Sequence, residues 1–189
     1  MFTAVTSQRS SGGISFMYAL HARRLSGASK LDGKIAAINE LIKKLRAKRP
    51  SYSEFEVNFL EIRYSRKLTR QKKLVQYVLA KMDRALNHKG IAIDYSQMTI
   101  EHVAPESASH ATQQLPHASV ASIGNLVIVD QDLNEKLANK PFAQKKAALI
   151  NSAIWIDDNL KAAAVWSKKE ISQRAKRLAK MAYNKVWNF

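Results

Sequence analysis

Four side chains in the second half of the sequence, Glu101, His102, Asn125 and Asn134, have the types and order to support hydrolytic chemistry. To break a phosphodiester, a water must lose a proton while negative charge builds on the phosphorane and the leaving oxygen. A neutral histidine can accept that proton near pH 7, and a hard divalent cation held by oxygen ligands can neutralise the charge. Glu101 and His102 are neighbours at the end of a predicted strand, residues 98–103. Adjacent strand residues point to opposite faces, so the two can serve one reaction centre only if the backbone bends. Val103-Ala104-Pro105 offers that departure. Asn134, on a predicted helix, offers an amide oxygen as a second cation ligand. Each residue also has a plain reading: Glu101 and His102 as a surface pair, Asn125 after Gly124 as a turn residue, and Asn134 as a helix-start residue.

The elements that must position these residues follow from periodicity. A first helix is expected from Ile14, with Met17, Tyr18 and Leu25 on the same face, and a second over Leu31 to Lys48, where Ile35, Ile38, Ile42 and Leu45 recur at helical steps. Pro50 ends it, and Ser53 is a candidate cap for a third helix carrying Phe55, Phe59 and Ile62. A fourth runs from about Thr69 to Leu86. The period then changes. Short β-branched text over 91–103 is followed by a long polar connection, Ala104 to Ser122, and by a clear strand, Asn125 to Val129. Loops of this length inside a domain are usually functional or disordered. Helices follow near Asp132 to Asn139, from Pro141 to about Ala153, and from a capping box at Ser167 and Glu170 to about Trp187. A lone two-stranded unit is marginal in water and must lean on helices. The fold class is therefore mainly α, with an embedded ββα element. The expected organisation is a flexible segment over 1–13, a helical region over 14–90, and a region over 91–189 that carries the candidate residues.

The sequence holds 31 Lys and Arg against 15 Asp and Glu, a formal net charge of +16. Such a surplus draws polyanions, so nucleic acid is the expected partner, with a ribosomal-type or merely soluble basic protein as the plain alternative. The absence of cysteine removes disulfides, thiolate zinc sites and cysteine nucleophiles, and a cytoplasmic location is the expectation. No apolar run is long enough to span a bilayer. The basic residues of the last helix, Lys168, Lys169, Arg174, Lys176, Arg177 and Lys180, are either a solvated face or a DNA-backbone contact. Lys140 is a further candidate contact. His110 and His117 read as loop histidines, and Trp155, Trp166 and Trp187 as core residues rather than stacking platforms.

Glu101-His102-Val103-Ala104-Pro105, then Gly124-Asn125-Leu126-Val127-Ile128-Val129, Leu133-Asn134, Phe142, Lys145-Lys146 and finally Trp166, Ile171 and Arg174 form an ordered set. This set resembles the C-terminal HNH domain (DUF1524) of GmrSD-type restriction proteins and of the SspE-type phage-defence proteins. The spacing of nine from Asn125 to Asn134 also matches HNH domains in which asparagine replaces the last histidine. The resemblance implies an HNH-type DNA endonuclease or nickase serving restriction or phage defence. Glu101 and Asn134 would be ligands to a divalent metal, magnesium with manganese as a substitute. His102 would be the general base, and Asn125 would brace the loop and orient the histidine. Lys145 or Lys146 would contact phosphate. Proteins of this type usually carry an N-terminal DUF262 domain, and nothing in this sequence resembles one. The alternatives are a basic DNA-binding module with an inactive site, and a nuclease directed at RNA.

Overall fold

The computed structural model describes residues 12–107 and 115–188. Residues 1–11 of the N-terminal segment, and His110, lie outside the described residues. The chain divides into two compact units, residues 1–59 (with 189) and 60–188.

In the first unit, α1 (Gly12–Gly27) and α2 (Leu31–Ala47) pack on one another. Ile14 and Met17 of α1 are buried, with Leu41 and Leu45 of α2 against them. Glu40 of α2 bridges Arg24 at 2.5 Å and Lys44 at 2.6 Å. The inward face of α2 is not the isoleucine stripe that the spacing suggests. Ile35, Ile38 and Ile42 are exposed, whereas Ala37 is buried. The inner face instead combines this small residue with the leucines. Helix α3 (Tyr52–Leu60) buries Phe55 and Phe59, one turn apart with ring centroids at 5.5 Å. Its cap is Ser51 rather than Ser53: the Ser51 hydroxyl accepts from the Glu54 amide at 3.3 Å.

The second unit is built on a β-hairpin. Strand β1 (Thr99–His102) pairs antiparallel with β2 (Leu126–Val129), with Thr99 opposite Val129 and His102 opposite Leu126. Two short strands cannot bury both faces alone, and helices cover them. Helix α4 (Lys72–Leu86) lays Val75, Val78, Leu79 and Met82, a helical i, i+3, i+4, i+7 row, toward the core and packs on both strands. Asp83 is buried at its end and accepts from the Tyr95 hydroxyl at 2.5 Å and from the Trp155 backbone amide. A short helix α5 (His117–Val120) and a 3-10 turn (Ile123–Asn125) lead into β2.

After β2, α6 (Gln131–Leu137) packs on β1; its N-terminus is capped by Asp130, whose carboxylate accepts from the Leu133 amide at 2.7 Å. Helices α7 (Phe142–Ile150), α8 (Asp158–Ala162) and α9 (Lys168–Met181) complete the unit, with the expected capping box at Ser167 and Glu170. Helix α9 reaches the base of the hairpin only because residue 124 lacks a side chain. A Cβ there would lie 2.2 Å from the Ile171 carbonyl oxygen and 3.0 Å from the Ala175 amide nitrogen. Arg174 clasps the same junction. Its Nε donates to buried Asp157 at 2.6 Å, and its Nη1 donates to the carbonyls of Gly124 and Leu126, both at 2.9 Å. The described residues are thus mainly helical around one small sheet. No helix among them is long and apolar enough to cross a membrane.

Candidate active site

Strand β1 ends at His102, and the chain then leaves the sheet through Val103 and Ala104, both buried. Asn125 controls that departure. Its Oδ1 accepts from the Ala104 amide at 2.8 Å and from the Trp166 indole at 2.9 Å. Its Nδ2 donates to the carbonyls of Ala104 at 2.9 Å and Val120 at 2.8 Å. All four hydrogen-bonding positions of the amide are filled, and they tie together both ends of the 104–120 connection. Asn125 is fully buried and does not line the cleft described next. It is placed at the base of the loop, where it can position but not touch a substrate.

The cleft has a volume of about 280 Å³ and is lined by Glu101, His102 and Asn134, with Tyr64, Arg66, Lys72, Glu106 and Lys145 around them. The two neighbouring strand residues thus share one opening, and the chain bends away from the sheet just beyond them.

Within the cleft, His102 is held by its surroundings. Its Nε2 lies 3.0 Å from the Tyr64 carbonyl oxygen and 3.4 Å from the Glu106 carboxylate, and its ring stacks on Tyr64 with centroids 5.8 Å apart. A carbonyl only accepts, so Nε2 carries the hydrogen, and in the neutral ring the proton-accepting atom is Nδ1. Burial holds the His102 imidazole below its ordinary range, outweighing the opposite pull of the Tyr64 carbonyl and Glu106. A neutral ring at pH 7 suits a base.

Glu101 is nearly as buried, and its Oε1 accepts from the Lys145 ammonium at 2.5 Å. Lys145 also donates to the His102 carbonyl at 2.7 Å. Burial raises the Glu101 carboxyl more than Lys145 lowers it, and burial likewise lowers Lys145 against the pull of Glu101.

The orientation of Asn134 is set by its neighbours. Thr99 Oγ1 donates to the Val129 carbonyl, so toward Asn134 it accepts, and the Ile100 carbonyl only accepts. Asn134 therefore presents Nδ2 to them, at 2.7 and 3.2 Å. That leaves Oδ1 as the end of the amide suited to a cation. A carboxylate and an amide oxygen are a hard donor set that fits a Mg²⁺-class ion, which keeps several waters and needs few protein ligands. Among the described residues, no group of three or more His, Cys, Asp or Glu is positioned to hold a metal ion.

Several expected DNA contacts are placed elsewhere. Lys145 is buried against Glu101, and Arg174 is buried in the α9 clasp, so neither presents a free charge at the surface. Lys146 is half-buried and donates to the Ala163 carbonyl at 2.7 Å. Lys140 and Arg177 are exposed, and neither lines the cleft. Sequence reading passed over Tyr64, Arg66, Lys72 and Glu106. Tyr64 contributes a backbone atom, which no side-chain pattern reveals. Glu106 stands four residues after His102 in the long polar connection, where no pattern singles it out.

Comparison with known families adds the class to this geometry. Residues 49–181 match the family described as GmrSD restriction endonucleases, C-terminal domain, and the chain belongs to that family. It is a nuclease domain of the restriction endonuclease type. A comparison with curated proteins found no match.

Proposed function

We propose that this chain is an HNH-type DNA endonuclease, dependent on a divalent cation, that cuts one strand per catalytic event. The observation that supports this reading best is the convergence of Glu101, His102 and Asn134 on one open cleft at the turn of a ββα unit. His102 accepts the proton of the attacking water at Nδ1 while Nε2 stays on the Tyr64 carbonyl. The water oxygen bonds to phosphorus as the bond to the leaving sugar oxygen breaks, and that oxygen takes its proton from solvent. Glu101 and Asn134 would hold the cation, magnesium or manganese, which when bound neutralises the charge that builds on the phosphorane. Asn125 keeps the loop in register without touching the reacting atoms. The restriction endonuclease family supports a role in restriction of foreign DNA, and both that role and the pairing with a DUF262-type domain are part of the same proposal.

A second reading, a DNA-binding module with an inactive site, draws support from Lys145, whose ammonium already sits on the proposed ligand Glu101. Supercoiled plasmid separates the two. The nuclease reading expects open circles with Mg²⁺ or Mn²⁺, and none with EDTA or with His102→Ala, while DNA binding persists in that variant. Equal behaviour of wild type and variant in every divalent ion would favour the inactive module.

A further inference from the structure

The basic residues of α9 do not line the cleft, and Arg174, Lys145 and Lys146 are engaged inside the unit. Residues 61–73, the connection after α3 and the first two residues of α4, are different. Residues 62–73 include six Lys or Arg and no Asp or Glu. Of the six, Arg63 is engaged by Glu61 at 3.3 Å and by the Ala118 carbonyl. Arg66, Lys67, Arg70, Lys72 and Lys73 are all exposed.

The segment is fastened to the site by its backbone and small side chains. The Tyr64 amide donates to the Ala121 carbonyl at 2.8 Å, and the Tyr64 carbonyl takes the His102 ring hydrogen. The Arg66 amide donates to the Glu106 carboxylate at 3.1 Å. Buried Ser65 closes a tight turn with Leu68 and bonds His117 at 3.1 Å. A segment fixed through its backbone holds its long cationic side chains outward, and two of them, Arg66 and Lys72, stand on the wall of the cleft itself.

We propose that residues 66–73 are the track for the DNA phosphate backbone, with Arg66 and Lys72 holding phosphates beside the one to be cut and Lys67, Arg70 and Lys73 holding the strand beyond it. The identity of the polyanion rests on the nuclease reading; the position of the track rests on the charge and the fastening. Arginine and lysine on an ordered segment bind phosphates without reading sequence, so the track sets affinity and register rather than specificity.

The test is DNA binding measured by fluorescence anisotropy in EDTA, where no cutting occurs, across a salt series. It compares wild type, Arg66→Ala/Lys67→Ala/Arg70→Ala, and Lys176→Ala/Arg177→Ala/Lys180→Ala. Each phosphate contact contributes about 0.9 to the slope of log K against log salt, so the segment variant should lose roughly 2.7 from that slope and about tenfold or more in affinity. The α9 variant should lose less on both counts. Wild-type affinity and slope in the segment variant, or the larger loss in the α9 variant, would overturn the track. So would tighter binding of an RNA of the same sequence. The three alanines preserve every backbone bond named above. Should the triple variant still melt early, Lys67→Ala and Arg70→Ala singly carry the comparison, each with a slope change of about 0.9. The two proposals fail separately. Segment-dependent binding with no cutting in any divalent ion sinks the nuclease and keeps the track. Cutting by wild type, with binding unchanged in the segment variant, sinks the track and keeps the nuclease.

Discussion

Replacing Lys145 with methionine removes a charge while keeping most of the side-chain length, and its consequence can be worked from the site. The ammonium lies 2.5 Å from Glu101 and 2.7 Å from the His102 carbonyl, and the Lys145 and Glu101 side chains are 1% and 8% exposed. Water therefore replaces little of what is lost. Removing one partner of a buried ion pair leaves the other charge uncompensated and costs about 3–5 kcal/mol. For a chain of this size each kcal/mol lowers the melting midpoint by roughly 2–4 °C, so Lys145→Met should melt roughly 6–20 °C early. Glu101→Gln introduced beside Lys145→Met removes the stranded charge, so the double variant should be more stable than the sum of the two single losses predicts. Because Glu101 is also the proposed cation ligand, Mn²⁺ should raise the midpoint of Lys145→Met. Thermal melts of the four proteins, with and without Mn²⁺, provide the measurement. A Lys145→Met loss below about 1 kcal/mol, or strict additivity with Glu101→Gln, would refute the reasoning that the pair is desolvated and coupled.

Other consequences are as direct. Gly124→Ala should destabilise by about 1–3 kcal/mol or more, because the new methyl meets backbone atoms of α9 that cannot swing aside; a wild-type melting curve would contradict this. Asn125→Ala strands two donors, the Ala104 amide and the Trp166 indole, and takes a donor from two carbonyls; at about 1–3 kcal/mol for each stranded donor, urea denaturation should show a loss of at least about 2 kcal/mol. For His102 the sign runs one way. Burial depresses the folded pKa below the unfolded one, so the ring stays neutral, and its stability contribution stays intact, above the ordinary value of about 6.5 and is lost as pH falls through the folded pKa. The acid limb of the kcat/KM profile for plasmid cutting should therefore lie below about pH 6.5; a limb centred above 7 would count against His102 as the base.

The parts of the fold legible in the sequence are those with local causes. The strand Leu126–Val129 is an apolar β-branched run, the fourth helix has a regular inward row, and the Ser167–Glu170 box marks a helix start. The candidate residues were legible as an ordered set, and three of them share the cleft. What could not be read was decided by tertiary partners. Lys145 and Arg174 read as surface cations, yet each is buried on a specific carboxylate, Glu101 or Asp157, and no local pattern announces either pairing. The isoleucine stripe of α2 read as its inner face, but periodicity does not say which of two adjoining faces meets α1; Leu41 and Leu45 do, and Ala37 is the buried residue of the helix. The Tyr64 carbonyl that fixes the His102 tautomer left no mark at all, because every residue has a carbonyl.

The central claim is that Glu101, His102 and Asn134 form one cation-dependent hydrolytic site. Its most direct measurement is Mn²⁺ titration calorimetry of wild type, Glu101→Ala, Asn134→Ala and His102→Ala, paired with plasmid cutting by the same four preparations. The account predicts that His102→Ala binds Mn²⁺ as wild type does and cuts on the order of 10²-fold more slowly or worse. It predicts that Glu101→Ala and Asn134→Ala bind the ion weakly and cut poorly. Loss of Mn²⁺ binding in His102→Ala, or unchanged binding in both Glu101→Ala and Asn134→Ala, would contradict it.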